Sequence, residues 1–457
     1  MDKKKKVGII IIGICILCLI VHFVFPQKNK YLIYEGSGQK VNKDKKNEND
    51  ILYIGVSQIT DSIHPYKQDN ETMDILLDLV YEPLIYVKED ASIKYVNAEK
   101  ITFEKEGKEA HIKTSSNKVF SDKTALTADL IIESYQWFMG QDTAYSEILR
   151  NVEEIKKIDN ENLIMRFKEV NLDNIKALTM PIVYQQDKKS YYGSTFLGTG
   201  AYQISQLKSQ QGIILERNKE SQRKEEYEKI VLKSIDYRNI DTVIMKQEID
   251  MFSINKGEHF EKIKESGAYD VYELEEKQKG YYLVYNIKEE SIRNAIAHTV
   301  EGKRFFEDTQ EKGIYSSGIV SAYKEGANYY SLIKSGSLKG LKTIKIRHDI
   351  DGVSLGIYQN LSETLNKEGI ECQEVRVAME GYKGFKEDIL IYQGNYKEAI
   401  TEENIKEFFK DNSQMDIEEY YKYLEEYLSR KNIMTPLSKE TKWIASLTTK
   451  DTLDFFE

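Results

Sequence analysis

Residues 344–392 constrain the fold more than any other stretch of this chain. Ile344, Ile346, His348 and Ile350 alternate at the two-residue period of a strand, and Val353, Ile357, Leu361 and Leu365 then follow at helical spacing. Gly369 stands where a helix end needs a residue free to turn left-handed. A second strand over 370–377 and a third over 388–392 complete a βαβ pattern, whose short connections favour parallel pairing through a right-handed crossover. The fold class is therefore α/β. Elsewhere, residues 52–56 have strand length, and the helix expected over 70–81 puts Met73, Leu76, Leu77 and Val80 on one face with Asp74 and Asp78 opposite. A further amphipathic helix over 416–430 buries Ile417, Tyr420, Tyr421, Leu424 and Leu428.

The start of the chain sets topology. Lys3 to Lys6 precede an apolar run over 7–25 in which His22 is the single ionisable residue. At about 1.5 Å per residue the run spans roughly 28 Å, close to the ~30 Å hydrocarbon core. One transmembrane helix is expected, with the lysines cytoplasmic and everything after Pro26 outside. A cleaved signal peptide has a shorter apolar region ending at small residues, whereas this run ends Phe25, Pro26, Gln27. Lipidation at Cys15 or Cys18 lacks the usual small preceding residue, since Ile14 and Leu17 stand there. Residues 27–50, rich in Lys, Asn and Asp, read as a mostly solvated spacer.

At 457 residues the chain is too long for one ordinary core. Residues 1–30 carry six lysines against one aspartate, so the formal charge of −10 leaves −15 beyond them. So acidic a body argues against nucleic acid as a partner. Cys372 is the one cysteine outside the apolar run, which leaves it no disulfide partner there. His22, His64, His111, His259, His298 and His348 make no zinc spacing, and acid pairs such as Glu153–Glu154 and Glu425–Glu426 fall in charge-rich solvated stretches. Gly198-Thr199-Gly200 is an isolated GxG, which more often marks a tight turn than a phosphate site. The expectation is a binding protein with no catalytic residue, no metal and no cofactor.

Several short motifs then occur in a telling order. His64-Pro65 follows the first strand, residues 80–84 read VYEPL, and 120–129 read FSDKTALTAD. Residues 198–204 read GTGAYQI, 215–218 LERN, 248–251 EIDM, and 292–296 IRNAI, with Tyr285-Asn286 before the last. Together these resemble the family 5 extracellular solute-binding proteins, the oligopeptide and dipeptide receptors of ABC importers. The resemblance is strongest over residues 52–300, and FSDKTALTAD is its most specific element. Lys123 and Gln247 stand where that family has glycine, and the second lobe is shorter than usual. Thr127 also makes sense alone as the cap of a helix opening with Ala128 and Asp129. Arg293 is expected to pair with a carboxylate of its own lobe.

The resemblance implies a two-lobed periplasmic-binding-protein-like fold with an inserted α+β domain, preceded by the transmembrane helix. Its parts would be the Lys cluster and anchor (1–30), a linker (31–50), lobe I (51–66, 190–287 and 436–457), the inserted domain (67–189) and lobe II (288–435). Ligand would lie between the lobes, lined by Thr60 and Asp61 after the first strand, Tyr285 and Asn286 at the hinge, and Tyr392, Gln393, Gly394 and Asn395 at the opposing strand end. The strand end ILIYQGNYK over 389–397 lacks the aspartate that engages a peptide's amino terminus in the peptide receptors. The expected partners are a peptide or similar small solute, the permease subunits of an ABC importer, and the membrane through the N-terminal helix. The protein would sit in the cell membrane, single-pass, with its binding domain on the extracellular side. The alternative is a degenerate paralogue that senses or docks.

Overall fold

The computed structural model describes residues 32–34, 51–59, 71–87, 92–141, 143–170, 173–185, 196–208, 212–223, 227–254, 258–300, 333–378, 385–395, 402–411 and 414–447. The apolar run 7–25 lies outside them, and among the described residues no helix is long and apolar enough to cross a membrane.

Strands β1 (Leu32–Tyr34) and β2 (Ile51–Val56) precede helix α1 (Glu71–Val80). A small hairpin of β3 (Ile85–Val87) and β4 (Ile93–Tyr95) leads into β5 (Ala98–Glu104) and β6 (Glu109–Thr114). Helices α2 (Ala128–Met139) and α3 (Ala144–Leu149) follow, then β7 (Val152–Lys157) and β8 (Asn162–Phe167). The pair β9 (Tyr184–Gln185) and β10 (Phe196–Leu197) returns the chain to β11 (Tyr202–Lys208), β12 (Gly212–Arg217) and β13 (Lys229–Ser234). Next come α4 (Ile240–Lys246), β14 (Met251–Ile254), α5 (Glu258–Ser266) and the long strand β15 (Asp270–Tyr285). Helix α6 (Glu290–Val300) precedes the βαβ unit of β16 (Thr343–His348), α7 (Gly352–Lys367), β17 (Glu371–Arg376) and β18 (Ile389–Asn395). The last elements are α8 (Glu402–Asp411), β19 (Met415–Asp416), α9 (Ile417–Lys431) and β20 (Met434–Ser446).

The local rules hold where the spacing is strong. Asp351 caps α7 by accepting from the amides of Val353 and Ser354 at 2.8 and 2.9 Å, and Gly369 takes φ +80 just past its end. Thr127 caps α2, accepting from the Leu130 amide. Ile350 does not continue β16; the strand stops at His348 and Ile350 is 64% exposed in the loop before α7. Leu32–Tyr34 departs from a solvated spacer, because its backbone pairs with Val271–Glu273 on an otherwise open edge of β15. Asp416 belongs to β19 rather than to the helix, and the Tyr421 side chain lies outside the described residues.

One sheet organises the molecule, in the order β11-β12-β13-β2-β14-β20-β15-β18-β16-β17. Strands β13, β2 and β14 are mutually parallel, and β16, β17 and β18 form a second parallel group. Between the groups run β20 and β15, antiparallel to each other, with register irregularities at Glu276/Gly280 and Tyr281/Tyr282. A separate five-stranded sheet, β19-β5-β6-β8-β7, carries α2 beside it.

Candidate ligand-binding cleft

Strand directions locate the cleft. Strand β15 is parallel to β14 and β2, since β20 is antiparallel to both β14 and β15, whereas β18 is antiparallel to β15. The carboxyl end of β14 comes level with Glu273 of β15, because Ile254 and Glu273 share the partner Trp443, while the carboxyl end of β18, Asn395, comes level with Lys279. The two parallel groups thus point their carboxyl ends at one another. Leu274–Glu276 have ladder partners on the β20 side alone, and Lys277 and Gln278 have none on either side, among the described residues. At roughly 3.3 Å per residue these five positions open about 17 Å along the strand. Loops that follow the carboxyl ends of parallel strands are where open α/β sheets bind ligands. Irregular pairing within the connecting ribbon supplies a place to bend.

The residues anticipated from sequence divide across this frame. Thr60 and Asp61 follow β2 but lie outside the described residues. Tyr392, Gln393, Gly394 and Asn395 occupy the cleft end of β18. Gln393 is exposed, while Tyr392 is 5% exposed and turns into the main core. Gly394 has φ +152, and a Cβ there would lie 2.2 Å from the Tyr392 hydroxyl, so only glycine lets that tyrosine fold back over the strand end. Tyr285 and Asn286 sit at the opposite end of the β15–β18 ladder, six positions away from the pair Lys279–Asn395. Tyr285 shares a 2.6 Å hydrogen bond with the Thr435 hydroxyl, and the Asn286 amide donates to Asp388 O at 2.9 Å. The structure does not bring these two residues together with the β18 end.

Sequence reading did not single out the ends of β16 and β17. His348, wholly buried, stacks on Tyr358 with ring centroids 5.0 Å apart. Its Nε2 lies 2.9 Å from Glu374 Oε1, to which Arg376 Nη2 donates at 2.6 Å. Arg376 first, and His348 after it, hold the Glu374 carboxyl below the usual range. Asp349 follows directly, half-buried, accepting from the Ile350 amide at 2.6 Å. The signal was present in the βαβ pattern itself, because such units present their functional loops at the carboxyl ends of their strands.

The other motifs build the frame. Glu82 of VYEPL is wholly buried and meets Lys118 Nζ at 2.9 Å, Thr199 Oγ1 at 3.3 Å and Arg223 Nη1 at 3.6 Å. Gly198 and Gly200 lie against the end of α1, where a Cβ would come within 1.8 Å of Val80 O and 2.3 Å of Leu79 O respectively. Arg293 binds main-chain oxygens. It donates to the carbonyls of Lys431, Asn432, Ile287 and Lys288 at 2.7–2.9 Å, closing the end of α9 onto the exit of β15. An open cavity of about 550 Å³ by Ser121, Lys123, Asn218 and Lys229 lies away from the cleft, and its charges pair locally, as in Arg217–Glu228 at 2.7 Å.

Two α/β halves facing one another across a two-stranded ribbon define a hinged, ligand-enclosing binding fold. The sequence profile described as "Bacterial extracellular solute-binding proteins, family 5 Middle" matches residues 93–332, more than half of the chain, and the protein belongs to that family. It is a binding protein rather than an enzyme. No match was found among curated proteins. Solved structures share the fold at low identity. A nickel ABC transporter protein of Bacillus halodurans is 15% identical with TM-score 0.62, covering 87% of this chain and 94% of its own. An ABC transporter substrate-binding protein of Sinorhizobium meliloti is 16% identical with TM-score 0.61, over 87% and 95%. AppA of Clostridium difficile, designated a peptide binding protein, is 17% identical with TM-score 0.56, over 86% and 94%.

Proposed function

We propose that the protein captures a small solute, in the first instance a peptide, and delivers it to the permease of an ABC importer. The observation that carries this reading is the opposition of two sets of parallel-strand carboxyl ends across the β15–β20 ribbon. The solved relatives add support, being named for nickel, for peptide and for ABC transport. The end of β18 favours an extended ligand, because main-chain pairing tolerates varied side chains. Asp349 at the end of β16 offers the carboxylate that the sequence after β18 lacks. The reading places the folded domain outside the cell, held by the apolar run 7–25 as an uncleaved anchor.

Calorimetry with matched free and N-acetylated peptides tests the ligand class. Pairing of the ammonium with Asp349 predicts a loss of about 2 to 5 kcal/mol on acetylation, mirrored in the Asp349→Asn variant. An acetylation loss below about tenfold, or ~1.4 kcal/mol, leaves recognition to the backbone and aromatic walls. Absence of binding by any peptide to the folded domain favours the second reading, a paralogue that senses or docks. That reading has one specific observation behind it: among the described residues the smaller half adds only three strands, β16, β17 and β18, to the large sheet beyond the ribbon. Protease treatment of intact cells tests the location, since an anchored external domain is removed while an internal one survives.

A further inference from the structure

The backbone of β1 places Leu32 opposite Glu273, Ile33 opposite Tyr272 and Tyr34 opposite Val271. The other edge of the same three β15 residues is taken by β20, through Trp443, Ile444 and Ala445. Val271 is wholly buried in a core with Ile254 and Phe260, whereas Tyr272 is buried in the main core. Successive residues of a strand face opposite sides, so β15 is covered on both faces here. Amides and carbonyls left bare along its outer edge would be costly, and β1 supplies their partners. The pairing also sets a position along the sheet. Glu273 shares its partner Trp443 with Ile254, so Leu32 comes level with the carboxyl end of β14. Ile51, where β2 begins, stands at the amino end of that parallel group, opposite Lys229. Since Ile54 pairs with Met251, Ile51 lies six positions behind Ile254, or about 20 Å along the strands.

We propose that β1 is a staple that moves the attachment of the membrane tether from the amino end of β2 to the cleft side of the sheet, so that the surface this edge of β15 faces is the bilayer itself. This rests on the anchored, external placement proposed above. Six residues, Pro26 to Tyr31, separate the apolar run from β1, and they can span at most about 20 Å. The 25 residues from Pro26 to Asp50 could span about 85 Å. With β1 paired, the domain stays within a short reach of the membrane, with the β15 edge and the carboxyl end of β14 foremost. With β1 released, it would hang from the far end of β2 on a tether of about twice the mean span, which grows as the square root of length. The staple thus presents a captured solute at the membrane surface, on the side where the permease lies.

The full chain in phosphatidylcholine vesicles carrying dansyl-labelled lipid tests the staple, by energy transfer and by hydrogen exchange. Trp137 and Trp443 are the two tryptophans of the chain, and Trp137→Phe leaves Trp443 as the single donor. Trp443 and Leu32 flank Glu273 on opposite sides, so they stand two strands, or about 10 Å, apart. Transfer from Trp443 to the labelled lipid is expected in this parent, with amides over 32–34 and 271–273 protected. Only alternate residues of an antiparallel strand bond to a given neighbour, so one of Leu32→Pro and Ile33→Pro breaks the ladder while the other turns its ring to the open side. The disruptive proline should cut transfer by about half or more. It should also raise exchange over 32–34 and 271–273 by about tenfold or more, while 344–346 stays unchanged and reports an intact fold. Free-chain exchange over 32–34 in the parent, or no response to either proline, overturns the staple. Protection over 271–273 that falls on dilution of the parent assigns the edge to a second copy and also overturns it. Protected, proline-sensitive residues 32–34 without transfer in any variant overturn the bilayer placement through the anchor, while the pairing stands.

Discussion

The side-chain amide of Asn432 donates to the Asn294 oxygen at 3.0 Å, in a buried contact between residues 138 positions apart in sequence. Asn432 adopts φ +45, and its own side-chain oxygen accepts from the Thr435 hydroxyl at 3.3 Å. Next to it, Arg293 reads four carbonyls with one guanidinium. Arg293→Ala removes all four bonds and leaves helix-end carbonyls unpaired, for which a loss of about 3 kcal/mol is expected from urea denaturation. Arg293→Lys keeps the charge without the planar fork and should recover less than half of that loss.

Lys123 and Gln247, the two positions where the family has glycine, take φ +74 and φ +49. Both backbones therefore hold a left-handed turn on a residue that carries a Cβ. Lys123→Gly and Gln247→Gly should each stabilise the fold by about 0.5–1 kcal/mol, because relief of Cβ strain exceeds the extra chain entropy of glycine. Urea midpoints shifted upward with an unchanged m-value are the expected result.

Glu109 is almost wholly buried between Lys105 Nζ and Arg166 Nε, each at 2.8 Å, and Lys105 first and Arg166 next hold its carboxyl down at about 2 from an ordinary 4.5. A depressed carboxyl contributes stability that is complete above its ordinary value and is lost as pH falls towards the folded one. Wild type and Glu109→Gln should therefore differ most above pH 4.5 and converge towards pH 2 in thermal unfolding. Asp250 acts with the opposite sign, since burial raises its carboxyl and folding is relieved of that cost as pH falls.

Gly198→Ala drives a methyl into a helix-end carbonyl, Val80 O, rather than into a side chain that could turn aside. A loss of about 3 kcal/mol is expected, the upper end for overpacking, with Gly200→Ala close behind. Substitution at Gly340, where nothing lies within 4 Å of an added Cβ, serves as the control apart from its φ of +93.

The βαβ unit and the Thr127 cap were legible because each rests on spacing within a short window, whereas the approach of Gly198 and Gly200 to α1 joins segments more than a hundred residues apart and was not. Tyr285 and Asn286 were assigned to the cleft because they end a strand at the hinge. Which end of that strand faces the ligand depends on β18 being antiparallel to β15, a pairing between segments about a hundred residues apart. The period of α9 likewise revealed that one face is covered, without revealing that Phe103 of a distant sheet covers it. His348 was set aside as an isolated histidine, and its partner Glu374 comes from the neighbouring strand of the same unit.

The position of β2 in the large sheet bears on how the protein is made. This strand is completed near residue 56, yet its ladder neighbours are β13 and β14, and β14 is in turn closed by β20 at residues 443–446. A chain synthesised from its amino terminus must carry β2 unpaired past nearly two hundred residues before the first neighbour exists, and almost to residue 446 before the sheet is continuous. Pairings of such long separation fold slowly. Under the external placement proposed above, delay of this kind leaves time for the polypeptide to pass a membrane before it folds, with residues 51–56 unpaired and open to a chaperone meanwhile.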